Sequence, residues 1–212
     1  TFIFLYEKET GLISLLKSTA NGRINIVVSK LAVLVSIASF TSIVFYGSIL
    51  IMGNHIYGFG DISRYIQSMS AFRDSNILLT VKEYIAVYLL TRILVTVIAS
   101  LIFACFFTVL SGAKAIFAGL GALLGASYIC SVFIHPASYI NFFKYINLVS
   151  FFNVFGIYGE YNNINFFGFP VEARAASFIG LAVIAPVAVF INIFSYVKLF
   201  GGSSDIAGII LS

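Results

Sequence analysis

The sequence predicts an all-α, polytopic helical membrane protein. Charged residues make up 9% of the 212 residues and hydrophobic residues 60%, against roughly 25% and 45–50% in an ordinary soluble domain. Four uncharged runs are each long enough to cross a bilayer. A chain with a mean hydropathy of +1.05 has too little polar surface to cover its apolar residues. Those residues must face lipid.

The spans follow in chain order. Residues 31–52 form a run of 22, about 33 Å of helix, which matches a hydrocarbon core of about 30 Å. Residues 93–113 form a run of 21, and residues 84–91 extend it past Arg92. Residues 115–134 form a run of 20 after Lys114, and residues 175–197 a run of 23 around Pro186. A proline inside a spanning helix is tolerated where neighbouring helices satisfy the freed carbonyl, so a kink is expected there. The opening "TFIFL" precedes Tyr6 and Glu7, the reverse of the basic-then-apolar order of a signal peptide. It reads as the tail of a preceding span, and the chain as a fragment. Residues 1–200 are expected to form one transmembrane domain, and residues 201–212 a tail.

Alternation of the spans places residues 6–30, the "SGAK" turn at Ser111 to Lys114 and the C-terminal tail on one side. Residues 53–83 and 135–174 fall on the other. Six basic residues lie on the first side and five on the second, so the first side is assigned to the cytoplasm by a narrow margin. The segment 135–174 carries "SYINFFKYINLVSFFNVFGIY", rich in Phe, Tyr and Asn with the single charge Lys144. Aromatic residues favour the headgroup boundary, so this segment is expected to form an outer re-entrant or interfacial helical hairpin.

Chemistry is sparse. None of the eight acidic residues lies in the four uncharged runs, whereas proton relays and ion-coupled carriers place ionisable groups inside spans. Arg92 is the one charge within a span, and its stem is expected to snorkel towards headgroups. His55 and His135 lie just beyond span ends without a ligand-spaced Cys, His or acid, so no metal site is expected. Cys105 and Cys130 fall in apolar runs and read as small hydrophobes. Neither a nucleophile elbow nor a phosphate-binding loop is present, so no catalytic or cofactor-binding residue is expected. The basic residues form no block of the kind nucleic acid requires. Gly121 and Gly125, four apart in "GLGALLGAS", read as helix-packing positions, against this chain or another subunit.

The most informative stretch is "YEKETGLISLLKSTANGR". On a helix, Glu7, Thr10, Gly11, Ser14, Lys17 and Ser18 share one face, while Leu12, Ile13, Leu15 and Leu16 fill the opposite one. Asn21 and Gly22 then supply a stop. Glu7 and Glu9 in the first turn and Lys17 near the last complement the helix dipole. Such a helix lies on the membrane surface or docks into a partner's groove.

An acidic E-x-E-x-G after a span, then LLKST-x-x-GR, then a Lys opening the next span, resembles the permease subunits of bacterial ATP-binding-cassette exporters of the ABC type 2 membrane family. The matching residues are Glu7, Glu9, Gly11, Leu15, Leu16, Ser18, Thr19, Gly22, Arg23 and Lys30. Ala20 stands where many relatives carry Pro. The resemblance implies that this segment is the cytoplasmic coupling element that contacts a nucleotide-binding ATPase subunit, which would hold ATP and magnesium. It also implies a second permease subunit or half, a bacterial plasma membrane, and no enzymatic activity in this chain. Two other readings fit the composition. One is an ATP-independent channel or carrier, which would line a path with polar groups; the other is a membrane scaffold or sensor that binds a partner through the same helix. An ATPase encoded beside this chain separates the first reading from both.

Overall fold

The computed structural model describes Tyr6 and residues 22–110, 112–135, 138, 140–159, 161–166 and 169–200. The expected tail of a preceding span, most of the amphipathic segment and the C-terminal tail lie outside the described residues. Four long helices are α1 (Gly22–Tyr57), α2 (Val81–Val109), α3 (Ala113–Phe133) and, last in the chain, a helix over Ala173–Phe200. Each contains a segment long and apolar enough to cross a membrane: Asn25–Tyr57, Val81–Val109, Ala113–Phe133 and Ala173–Lys198. The chain is a multi-pass membrane protein. Phe40, Ile51 and Phe190 are 70%, 74% and 67% exposed, an arrangement that only an apolar solvent makes favourable.

The span order matches the uncharged runs, and the ends differ for physical reasons. A helix need not stop where charge appears. The first begins at Gly22, so Arg23 and Lys30 lie inside α1 and Lys30 does not open it. The stop expected at Asn21 and Gly22 for the preceding amphipathic segment lies at the edge of the described residues. The second begins with a reciprocal cap. The Thr80 backbone N–H and hydroxyl both donate to Glu83 Oε2 at 2.8 Å, and Glu83 N–H donates to Thr80 Oγ1 at 3.3 Å, a capping box. Between α2 and α3 the expected tight turn is present, with Gly112 at φ +87°, a conformation costly for any residue with a Cβ.

The segment 135–174 departs from the expected helical hairpin. Its helical part is broken into three short pieces, α4 (Phe142–Tyr145), α5 (Leu148–Phe152) and α6 (Val154–Gly159). It ends in an antiparallel pair, β1 (Asn163–Phe166) with β2 (Phe169–Glu172), in register Ile164 to Val171. Asparagine breaks the helices. Asn147 caps α5 by accepting from Ser150 N–H at 2.9 Å, and its amide turns back on the Phe143 and Lys144 carbonyls, competing with helix continuation. The last long helix, α7 (Ala173–Phe200), then runs through Pro186 without interruption.

The chain forms two compact units. One comprises residues 1–37, 98–122 and 184–212; the other comprises 38–97 and 123–183. In the second unit, Ile66, Phe72 and Val81 form one buried cluster, and Ile164, Ala173 and Ala176 another. The segment 58–80 is packed, with Ile66 and Phe72 on two successive 3-10 turns, Ile66–Ser68 and Ser70–Phe72.

On α3, a Cβ at Gly119 would lie 2.9 Å from the Phe106 ring, whereas nothing lies within 4 Å of one at Gly121 or Gly125. Of these three α3 glycines, Gly119 is the one closely approached from within the chain. Gly119→Val is expected to destabilise the folded protein by about 1–3 kcal/mol through overpacking. Gly121→Ala and Gly125→Ala are expected to leave the detergent-solubilised monomer unchanged, as read by denaturant titration.

Candidate functional site

The sites are best built from the few polar groups that the apolar helices carry. In the first unit, Lys30 on α1 donates from Nζ to Tyr196 Oη on α7 at 2.8 Å, and Nζ lies 5.0 Å from the centre of that ring. Tyr196 is buried. A hydrogen bond to a charged donor and a cation–π contact thus join the first and last described spans, each stronger away from water. Of the ten residues expected to contact an ATPase, Lys30 has a described side chain. Gly22 and Arg23 are placed by backbone inside α1. Glu7, Glu9, Gly11, Leu15, Leu16, Ser18 and Thr19 lie outside the described residues.

Asn192 forms a second polar joint in this unit. It is completely buried, and Nδ2 donates to the Ala188 carbonyl at 2.8 Å and the Leu101 carbonyl at 3.0 Å, with Cys105 Sγ also 3.0 Å away. Thr108 Oγ1 lies 3.3 Å from Asn192 Oδ1 and donates to the Cys105 carbonyl at 3.0 Å. In hydrocarbon such an amide must find partners within the protein, and here it binds α7 to α2.

In the second unit the structure overturns the snorkelling expectation for Arg92. Nη1 donates to the Phe152 carbonyl at 2.6 Å, and the guanidinium lies 5.0 Å from the ring centres of both Tyr46 and Tyr88. Phe152 is the last residue of α5, and its carbonyl is one of the acceptors a helix end leaves unpaired. That acceptor and the two ring faces replace part of its hydration, while its buried Nε makes no hydrogen bond among the described residues. Tyr158 anchors the same segment. Its hydroxyl shares a hydrogen bond with Thr91 at 2.9 Å, its carbonyl accepts from Ser75 Oγ at 2.7 Å, and its ring meets those of Tyr84 and Phe178. Burial pushes the Tyr158 phenol above the usual tyrosine range, and the Thr91 hydrogen bond opposes that shift.

His55 and His135 are exposed, and no group of three or more His, Cys, Asp or Glu able to hold a metal occurs among the described residues. Cys105 and Cys130 are free. No family model, curated protein or solved structure matches the chain. Its function is therefore argued from its own residues.

The residues that sequence reading missed are Asn192, Thr91 and Tyr158. Their hydrogen-bond partners on other elements lie 67 to 91 positions away, beyond the reach of any local pattern. Two outcomes follow. Arg92→Met strands the Phe152 carbonyl at a cost of about 1–3 kcal/mol, and is expected to raise protease sensitivity over residues 140–159 while the spans stay folded. Because the folded state holds the Tyr158 phenol protonated more firmly than the unfolded chain does, the stability it contributes is full below pH 10.0 and is lost as pH rises further. Tyr158→Phe should remove that alkaline component of a pH–stability titration.

Proposed function

We propose that the chain is the membrane-spanning permease subunit of an ATP-driven exporter in a bacterial plasma membrane. In this reading a separate nucleotide-binding ATPase subunit engages the segment from Glu7 to Arg23. The supporting observation is mechanical. The E-x-E-x-G…LLKST-x-x-GR segment leads into α1 at Gly22, and α1 continues as one helix of 36 residues. Lys30, two turns in, grips Tyr196 of α7. A displacement of the segment is carried along α1 as a rod and passed to α7 at that joint.

ATP binding and hydrolysis belong to the partner; this chain receives a movement and converts it into rearrangement of spans. The resemblance implies a second permease subunit or half, and the open surface at Gly121 and Gly125 lets a helix backbone approach closely. An ion-coupled carrier is disfavoured because Arg92, the charge about three turns inside α2, is engaged by a carbonyl and two tyrosine rings.

The test is to co-purify the chain with an ATPase encoded beside it. Glu7→Arg and Arg23→Glu are each expected to abolish association or uncouple ATP hydrolysis, while protease mapping shows all spans inserted. Wild-type association and wild-type ATPase activity in both variants would sink the coupling role.

A further inference from the structure

A cavity of about 390 Å³ lies wholly within the second unit, between the end of α3, the start of α7 and the α4–α6 segment. This is the size at which small-molecule sites begin, about 300 Å³. Its wall includes Val132, Lys144, Val149, Asn153 and Ile157. Lys144 is the one charged residue among the described lining residues.

The serine hydroxyls on this wall are already committed as donors: Ser150 Oγ to the Lys144 carbonyl, Ser177 Oγ to the Ala173 carbonyl, and Ser131 Oγ to the Tyr128 carbonyl. The Lys144 ammonium and the Asn153 Nδ2 amide are donors of a different standing. Neither makes a hydrogen bond or ion pair among the described residues, although Asn153 Oδ1 accepts from Gly156 N–H at 3.2 Å. Lys144 and Asn153 thus bring a cation and a neutral donor to a wall that also carries the Tyr145 hydroxyl and the Asn162 amide, with no carboxylate among its described residues. An anion bearing several acceptor oxygens satisfies both.

Depth and wall chemistry narrow the ligand. Helix α3 has 21 residues, about 31 Å, so it just spans the hydrocarbon. Val132, one residue from its end, then lies at the headgroup boundary. Val132 and the adjacent Phe133 are 52% and 74% exposed, an apolar rim along which a chain attached to the anion can leave towards lipid.

We propose that this cavity binds a phosphate headgroup, with Lys144 as its cation and Asn153 as its second donor, independently of any ATPase partner. The full chain, purified in maltoside detergent, is titrated calorimetrically with short-chain phosphatidylglycerol and, separately, with inorganic phosphate. Lys144→Gln is expected to raise the Kd about tenfold or more, the loss of a charged hydrogen bond. Lys144→Arg should stay within about threefold of wild type, and Asn153→Ala should fall between the two. Binding of the lipid alone identifies a bilayer lipid as the source; Lys144-dependent binding of inorganic phosphate identifies a free anion, and both support the site. Wild-type affinity in Lys144→Gln, equal affinity for uncharged diacylglycerol, or no binding of either phosphate ligand to the wild type overturns it. Should Lys144→Gln fail to fold, the ordering of Lys144→Arg and Asn153→Ala decides: Asn153→Ala binding as wild type, or Lys144→Arg losing affinity tenfold, overturns it.

Discussion

In hydrocarbon no water completes a backbone hydrogen bond, and the fold follows from meeting that constraint. Four long helices satisfy their own ladders, so apolar side chains such as Phe40 and Ile51 can point outward. The same constraint acts on polar side chains. Ser36, Ser42 and Ser48 each donate to the carbonyl four residues back along α1, and Thr96, Cys105 and Ser177 do the same in α2 and α7. A hydroxyl folded back in this way needs no neighbour. The spans can therefore carry Ser and Thr without a polar path forming between them.

Asn192 and Arg92 cannot be satisfied by their own turn alone. An amide has two donors and an acceptor, and a guanidinium five donors. Asn192 finds carbonyls on two helices, and Arg92 finds the last carbonyl of α5. Each therefore fixes how elements within its own unit meet, which apolar contacts alone do loosely because lipid competes for them. Around Arg92 and Tyr158 the rings of Phe72, Tyr84 and Phe155 close edge to face, with centroids 4.8 and 5.1 Å apart. The segments 58–80 and 140–159 become part of a packed body.

Much of this was legible in the sequence, and the limits have physical causes. The spans were readable because length and absence of charge follow from bilayer thickness. Their ends were not, because counting uncharged residues treats an apolar run as the whole helix, and α1 runs nine residues further into Arg23 and Lys30. The Thr80 and Glu83 pair was a readable start signal for α2, three residues apart as a capping box requires. In β1, Asn163, Ile164, Asn165 and Phe166 alternate polar and apolar, the period of a strand; aromatic content outweighs that signal when the segment is read as interfacial helix. Arg92 was misread for a different reason. Snorkelling is the cheap solution for a lone cation near a span end, and its acceptor lies 60 residues away.

The coupling proposal gains from where the rigid element begins. From Gly22 onward α1 takes in Arg23 and Lys30 as one helix, and bending it within those turns would break ladder hydrogen bonds. In the proposed coupling, a load on α1 reaches Lys30, whose ammonium donates to a buried tyrosine on α7. Breaking that bond leaves a charged donor without this partner, so the proposal has α1 and α7 move together at that point. Coupling in the proposed permease thus needs no ionisable relay through the membrane, which agrees with the absence of acidic residues from its four uncharged runs.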